Sequence, residues 1–457
     1  MDEIMERIGA AVWGWPTMAL FVGVGIFFTV RLRGIQVRKL GRALKLIGSR
    51  EQGNGISPYA ALCTSLAATI GTGNIVGVAT AMAAGGPGAL FWMLTAGLLG
   101  MATQYAEGFL AVKYRGGGEG GRFGGPYSYI EYGLGEKWKW LAKTFAAIGA
   151  AVGILGVGTI TQVHSITASV DSFFSSATLF RLGGHEYSAA TVISGAIVTA
   201  AAAMVLLGGV RRISKVCETL VPLMSIAYVA ASLMLLFCCA ERIPSAVVLI
   251  VRSAFSPRAV LGGAAGIGLK TVLRMGIGRG VFTNEAGIGS SAIAAAASNV
   301  REPVKQGLIS MTGTFIDTLI ICTMTGLCLT VTGAWSMPLE GVEITDYAWR
   351  SALPWAGSLS SFILMACLVF FGFSTIIGWN FYAEGCLKYL VGERKGARTV
   401  YRLAYLAAIA FGPYLTVRSV WELADVLNAV MALPNLTALL LLQETVVRET
   451  RRKLGTV

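Results

Sequence analysis

The sequence predicts an all-α polytopic membrane protein: eleven transmembrane helices, one extra N-terminal helix plus a 5+5 inverted-repeat core with two broken helices. Three observations point there. Only 13% of the 457 residues are charged and 55% are hydrophobic, whereas soluble domains carry about 25% charged residues. Stretches of about 20 residues without a charge recur, the length a helix needs to cross roughly 30 Å of hydrocarbon. Two glycine-rich clusters interrupt apolar stretches at matching places in the two halves of the chain. The mean hydropathy of +0.67 and the 58 glycines agree, since glycine is commoner in membrane helices than in soluble ones.

In chain order, the expected spans are 12–30, 59–84, 88–112, 140–172, 189–208, 217–240, 270–298, 306–333, 359–388, 401–419 and 424–443. No long polar linker divides them, so residues 1–457 read as one membrane domain. Its parts are the extra helix 12–30, a first five-helix repeat 59–240 and a second 270–443. With the N-terminus outside, the inner segments hold 27 of the 37 Lys and Arg residues and the outer ones seven (Arg7, Arg181, Arg242, Arg252, Arg258, Arg350, Arg418). Basic residues concentrate on the cytoplasmic side of membrane proteins, so the N-terminus is expected outside and the C-terminus inside. The net charge of +13 is thereby explained by topology, not by nucleic-acid binding. Residues 35–47 set Ile35, Leu40, Leu44 and Ile47 among Arg38, Lys39, Arg42 and Lys45, the pattern of a basic helix on the cytoplasmic membrane face. Residues 243–255 resemble it on the outside. Asp2, Glu3, Glu6 and Arg7 do not make the basic start of a signal peptide. Eight cysteines with no C-x-x-C pair, and two histidines, argue against a zinc site or a disulfide framework.

The most informative segment is Gly71-Thr72-Gly73-Asn74 in the second span, with apolar helix on both sides. Glycine costs about 1 kcal/mol against alanine inside a helix, so the cluster invites unwinding. Unwound backbone in a membrane is tolerated only where it faces protein or a cavity. Gly287-Ile288-Gly289-Ser290 repeats the pattern in the seventh span, five spans on and therefore crossing in the opposite direction. An inverted repeat of five spans gives this relation, and such folds bind substrate and coupling ion between two discontinuous helices. Helix N-termini offer N–H groups to an anion, and freed carbonyls suit Na⁺, a hard cation. In a single helix, G-x-G more often serves close packing; two at matching positions, each with polar neighbours, favour a site.

At this point the residues resemble a known family, the alanine/glycine:cation (sodium:alanine) symporters, nearly end to end. The resemblance rests on Gly71–Ala81 (GTGNIVGVATA), Gly85–Tyr114, Gly124–Tyr132 (GGPYSYIEY), Gly208–Pro222 (GGVRRISKVCETLVP), Arg279–Ser290 (RGVFTNEAGIGS), Pro303–Thr323 and Ser374–Glu384 (STIIGWNFYAE). It implies a leucine-transporter-like fold. It also implies sodium-coupled symport of alanine or glycine by alternating access in the plasma (inner) membrane. The substrate carboxylate would meet the backbone of Thr72, Gly73 and Asn74, with Gly287, Ile288 and Gly289 facing it. Gln162 and Ile166, four apart on one helix face, would line the pocket, and Trp379 would cap it. Sodium would take the carbonyls of Ala67, Ile70 and Phe371 and the hydroxyls of Ser374 and Thr375. Asn74 and Thr283 would form a second sodium site. The chain departs from the family in the fourth span, where Thr159 and His164 replace asparagines, and after the second break, where Ala292 and Ala295 replace Pro and His. These changes leave open a different small amino acid or coupling to protons.

Among other intramembrane polar residues, His164 is expected to be hydrogen-bonded and structural. Glu107, Glu285 and Asp317 are functional hypotheses because burying a charge is expensive; pairing with Arg279 or capping of a broken helix are the structural readings. Ser374 and Thr375 can also simply back-bond within their helix. A membrane enzyme lacks a nucleophile–base constellation, and His185 is expected in a loop. A channel lacks a repeated filter or a charged ring, and no P-loop supports ATP-driven transport. A non-transporting sensor of the same fold is the remaining alternative. The expected partners are an amino-acid substrate and the lipid bilayer, with no obligate protein partner.

Overall fold

The computed structural model describes residues 14–49, 51, 55–118, 121–156, 158–174, 177–182, 185–255, 268–415 and 417–455; the side chains of 117–123, 182–185 and 416–425 fall outside that description. The expectations for the first residues, including Arg7, and for Arg258 lie outside the described residues. Helices dominate. The strands form two short antiparallel hairpins, Gly116–Gly118 with Gly121–Phe123 and Thr178–Leu182 with His185–Ser188. His185 therefore stands in a strand, not in the loop expected for it.

Helices occupy the predicted intervals. Among the described residues, five runs are long and apolar enough to cross a bilayer: Glu136–Phe174, Ala189–Leu206, Gly209–Cys238, Pro303–Thr332 and Gly357–Val391. Two bent pairs, Pro58–Thr69 with Thr72–Gly85 and Val426–Leu441 with Gln443–Leu454, pass the same test as interrupted spans. The helices Trp15–Arg31, Gly88–Lys113, Leu269–Asn284, Ser291–Ala297 and Lys395–Phe411 fill the remaining intervals. Short helices at Ile35–Arg38, Leu40–Ile47 and Ile243–Phe255 match the two surface segments. In the first of these Ile35 and Ala43 are buried, while Leu44, expected on the apolar face, is exposed.

Both expected breaks are present. Pro58 opens its helix behind the N-cap Ser57, whose hydroxyl accepts the Ala60 amide at 2.9 Å; proline suits this first position because its missing N–H would be an orphan anyway. The helix stops at Thr69, gives a single tight turn at Thr72–Asn74, and resumes at Val76 bent by 63°. In the seventh span the helix Leu269–Asn284 ends on Glu285 at φ 56°, followed by Gly287 at φ 96° and Gly289 at φ 91°. Side chains rarely tolerate such angles, so the two glycines fix the place of the break. Two irregularities were not expected. The fourth span is interrupted between Leu155 and Ile160, and the eighth contains a π-helical stretch, Phe315–Cys322.

Glycines also set helix spacing. A Cβ on Gly276 would fall 2.4 Å from the Ala89 carbonyl, one on Gly97 2.7 Å from Thr318, and one on Gly153 2.5 Å from Ala383. Close backbone approach of this kind holds membrane helices together where no hydrophobic force acts between them. The interior holds large side chains such as Trp349, Trp379, Tyr228, Tyr382 and Phe371, while Phe237, Ile226 and Leu207 point outward. In water so many exposed apolar side chains would mark an interaction or aggregation surface; for a membrane protein they face lipid.

Candidate functional site

The first break frees oxygens. In an unbroken helix the Gly71 amide would bond to the Ala67 carbonyl and the Asn74 amide to that of Ile70. Here the Gly71 N–H donates instead to Asn74 Oδ1 at 3.0 Å, and the Asn74 N–H to the Gly71 carbonyl at 3.2 Å. The helix Gly357–Val391 passes against this point. The Ser374 hydroxyl donates to the Phe371 carbonyl at 2.8 Å and lies 3.4 Å from that of Ile70. Thr375 Oγ1 lies 3.1 and 3.5 Å from the same two oxygens. Hydroxyls that back-bond within their helix thus also meet the released Ile70 carbonyl from the other helix. A Cβ on Gly71 would come within 2.5 Å of Thr375 Oγ1, and one on Gly378 within 2.7 Å of the Ala68 nitrogen. The absent side chains permit the approach. Ala67, Ile70, Phe371, Ser374 and Thr375 are all essentially buried, and the oxygens of the last four come together as a neutral, oxygen-only set, the donor chemistry a hard monovalent cation prefers.

Beside this set, Gln162 Oε1 accepts the Thr72 hydroxyl at 3.0 Å and the Thr72 amide at 3.3 Å. The side-chain oxygen thus occupies the N–H that the sequence reading gave to a carboxylate. Ile166, one turn on, is fully buried and packs on Gly372, where a Cβ would meet its Cδ1 at 2.8 Å. Trp379, also fully buried, packs on Gly158 in the fourth-span interruption and stands edge-to-face with Tyr382 at 5.6 Å. Tyr405 ties the two elements together: its hydroxyl meets the carbonyls of Gly158 at 3.0 Å and Ile376 at 2.7 Å.

A second cluster forms on the other side of Asn74. Its amide donates to Asp317 Oδ1 at 2.7 Å, the Thr318 hydroxyl to Asp317 Oδ2 at 2.9 Å, and the Asn284 amide to Thr318 Oγ1 at 3.0 Å. Thr283 joins it through Cys322 Sγ at 3.9 Å, and its methyl lies against Gly73. Asn74 and Thr283, paired in the sequence reading, are therefore neighbours. The π-helical turn carries Asp317 to this place; such turns often mark functional positions.

The second break is held differently. The Gly287 amide donates to Glu107 Oε1 at 2.9 Å, the Asn435 amide to the same oxygen at 2.6 Å and to the Gly287 carbonyl at 2.9 Å. Tyr129 donates to Asn435 Oδ1, and Ser290 to Glu285 Oε2. Of the two structural readings for the acids, capping of a broken helix describes Glu107 and Glu285, while the Arg279 guanidinium lies 5.3 Å from the centre of the Phe282 ring. The absent Cβ atoms of Gly287 and Gly289 would point at Phe21 and Leu436 and at Pro126 and Asn435. Ile288 is buried between them. From the seventh span, Thr283 and Phe282 stand against Gly73. The expected hydrogen bonding of His164 is not met at Nδ1, which has no partner among the described residues. Asn435, Tyr129 and Tyr405 are given no role by the sequence pattern, and Asn284 only a place beside the second glycine cluster. An asparagine inside an apolar span was the available signal for Asn435, since polar groups at that depth are expensive.

Comparison with known proteins agrees with this architecture. The sequence model described as the Sodium:alanine symporter family matches residues 1–453. An uncharacterized transporter of Haemophilus influenzae is 47% identical over 99% of this chain and 96% of its own length. The sodium/alanine symporter AgcS of Methanococcus maripaludis is 41% identical over 98% of this chain and 96% of its own. A crystal structure of MhsT in complex with L-phenylalanine superposes with a TM-score of 0.58 at 14% identity, covering 86% of this chain and 90% of that one. That likeness is one of fold. These neighbours are transporters, not enzymes.

Proposed function

Because the chain belongs to the sodium:alanine symporter family, whose members are multi-pass transporters of amino acids, we propose that it carries alanine or glycine together with Na⁺. The cell membrane would be crossed eleven times, with the N-terminus outside, the C-terminus inside, and two inverted halves of five spans after the first helix. One observation carries the reading: the Ile70 carbonyl that the first break releases meets Ser374 and Thr375, whose hydroxyls also lie on the Phe371 carbonyl; the freed Ala67 carbonyl, one turn before the break, completes the proposed set. Sodium bound there joins the broken helix to the Gly357–Val391 helix. The substrate carboxylate, a stronger acceptor than an amide oxygen, replaces Gln162 Oε1 at Thr72, next to Gly73 and Asn74. Trp379, one turn beyond Thr375, and Ile166 bound the side-chain end and favour a small substrate. Ion and substrate thus stabilise one arrangement of the same helices, which is what coupling requires. A second cation binds at Asn74 and Thr283, with Asp317 supplying the charge. The glycines of the second break, with Ile288, let that half-helix move against the first as the halves rock about the site.

The test is uptake of labelled alanine by protein reconstituted in liposomes, with and without an inward Na⁺ gradient. Gradient-driven accumulation that disappears in Thr375→Ala supports the reading. Folded protein that accumulates none of alanine, glycine or serine under a Na⁺ gradient sinks the substrate assignment. Accumulation under an H⁺ gradient alone would instead favour proton coupling, for which the unpartnered Nδ1 of His164, half a turn from Gln162, is the observation. Binding without accumulation would point to a sensor.

A further inference from the structure

The cytoplasmic ends of the two broken spans, on the sidedness proposed above, are fastened to each other by backbone. The Ile56 amide donates to the Ala297 carbonyl at 3.1 Å and the Asn299 amide to the Ile56 carbonyl at 2.8 Å, a parallel bridge between the segment entering the second span and the one leaving the seventh. The Gly55 amide adds a bond to Asn299 Oδ1 at 2.6 Å. A Cβ at Gly55 would stand 2.5 Å from the Ala297 carbonyl, so no side chain fits there without parting the strands. Onto this bridge comes Arg115, from the end of the third span, which belongs to neither broken helix. Its guanidinium donates to three carbonyls at once: Ala296 at 3.3 Å, Ser298 at 2.7 Å and Val300 at 2.6 Å. Gly124 leaves room for it, since a Cβ there would lie 3.0 Å from Ala296 and 3.1 Å from the Arg115 Cβ. At the opposite face a cavity of about 320 Å³ opens between Ser169, Asp346, Arg350, Ser361 and Leu364.

We propose that Arg115 is a positioning residue of the transport cycle: it latches the inner end of the pathway shut, and must release its three carbonyls each time the carrier opens to the cytoplasm. The contacts suit a latch that opens. They are made by polar backbone that water can satisfy equally well when the ends part, not by interlocked apolar side chains. A planar, permanently charged fork reaches all three acceptors; a lysine ammonium, on a flexible stem, cannot hold the same geometry.

This inference rests on the transport reading, but its test does not need the substrate. Ser65, 9% exposed on the first broken helix between the latch and the break, is replaced by cysteine in a background with Cys238→Ser and Cys239→Ser. The remaining native cysteines are buried. Labelling by a membrane-impermeant thiol reagent is followed from the cytoplasmic face of inside-out vesicles. Arg115→Ala should raise the labelling rate at least about tenfold and Arg115→Lys less, while Na⁺-driven alanine uptake falls. Gly55→Ala, which forces the bridge apart from its other strand, should raise labelling in the same direction, and serves if Arg115→Ala does not fold. Folded variants that label at the parental rate overturn the latch. A carrier that never takes up alanine but shows the labelling changes would keep the latch and remove only the substrate assignment.

Discussion

Thr375→Val is the sharpest probe of the ion site, because it exchanges one hydroxyl for a methyl of the same shape. The hydroxyl lies 3.1 Å from the Phe371 carbonyl and 3.5 Å from that of Ile70, so two separable losses follow. The fold loses one hydrogen bond inside a helix, worth about 1 kcal/mol. The cation would lose one of the five oxygens proposed to hold it; a polar contact to a charged group is worth about 1.5–3 kcal/mol. At 1.4 kcal/mol for each factor of ten, the Na⁺ concentration for half-maximal uptake should rise about 10- to 100-fold. Thr375→Ser, which keeps the oxygen, should stay within about fivefold, since it loses only a methyl worth roughly 1 kcal/mol or less. The assay is initial alanine uptake in proteoliposomes against Na⁺ concentration, with Na⁺-dependent thermal stabilisation in detergent as a readout free of transport. A folded Thr375→Val protein with parental Na⁺ dependence in both would refute the assignment of this oxygen set, whatever the substrate.

Other substitutions test the remaining assignments. Gln162→Glu sets a carboxylate on the Thr72 amide, where it competes with that of the substrate; like charges cost several kcal/mol, so KM for alanine should rise at least about tenfold. Gln162→Ala merely vacates the amide and should raise KM less; equal effects of the two would mean that Thr72 does not meet the carboxylate. Asp317→Asn should reduce the Hill coefficient for Na⁺ from about 2 to about 1 if a second cation binds with Asn74 and Thr283, and an unchanged coefficient in uptake assays would confine Asp317 to holding Asn74. Gly378→Ala places a Cβ 2.7 Å from the Ala68 nitrogen and should cost about 1–3 kcal/mol by overpacking, seen as a lower thermal midpoint; a parental midpoint would mean the helices part freely there.

The breaks were legible in the sequence because their cause is local. Glycine clusters in apolar spans weaken the helix wherever they sit, and Gly71–Asn74 and Gly287–Ser290 sit at two of the interruptions observed. The Ser374–Thr375 pair came from the resemblance to the symporter family, not from the local pattern, since paired hydroxyls in an apolar run can equally back-bond within their helix. The interruption at Leu155–Ile160 was missed although Gly153, Gly156 and Gly158 precede and occupy it, because the flanking hydropathy reads as one continuous span. The π turn that presents Asp317 had no sequence signal: it differs from an α-helix by one hydrogen-bond register, not by composition.

The sequence by itself determined the solvent, the helical class and the two breaks, since each follows from the composition of short stretches, and its long motifs carried the resemblance to the family. Tertiary structure alone decided the partners. Gln162 takes the Thr72 amide across 90 residues, Asn74 meets Asp317 across 243, and Asn435 holds Glu107 across 328. Buried polar groups in a membrane must find a donor or acceptor, but which one they find depends on how helices far apart in the chain come to lie side by side. The close contacts at Gly71, Gly276 and Gly378 set that arrangement, through spacings that a linear pattern does not carry.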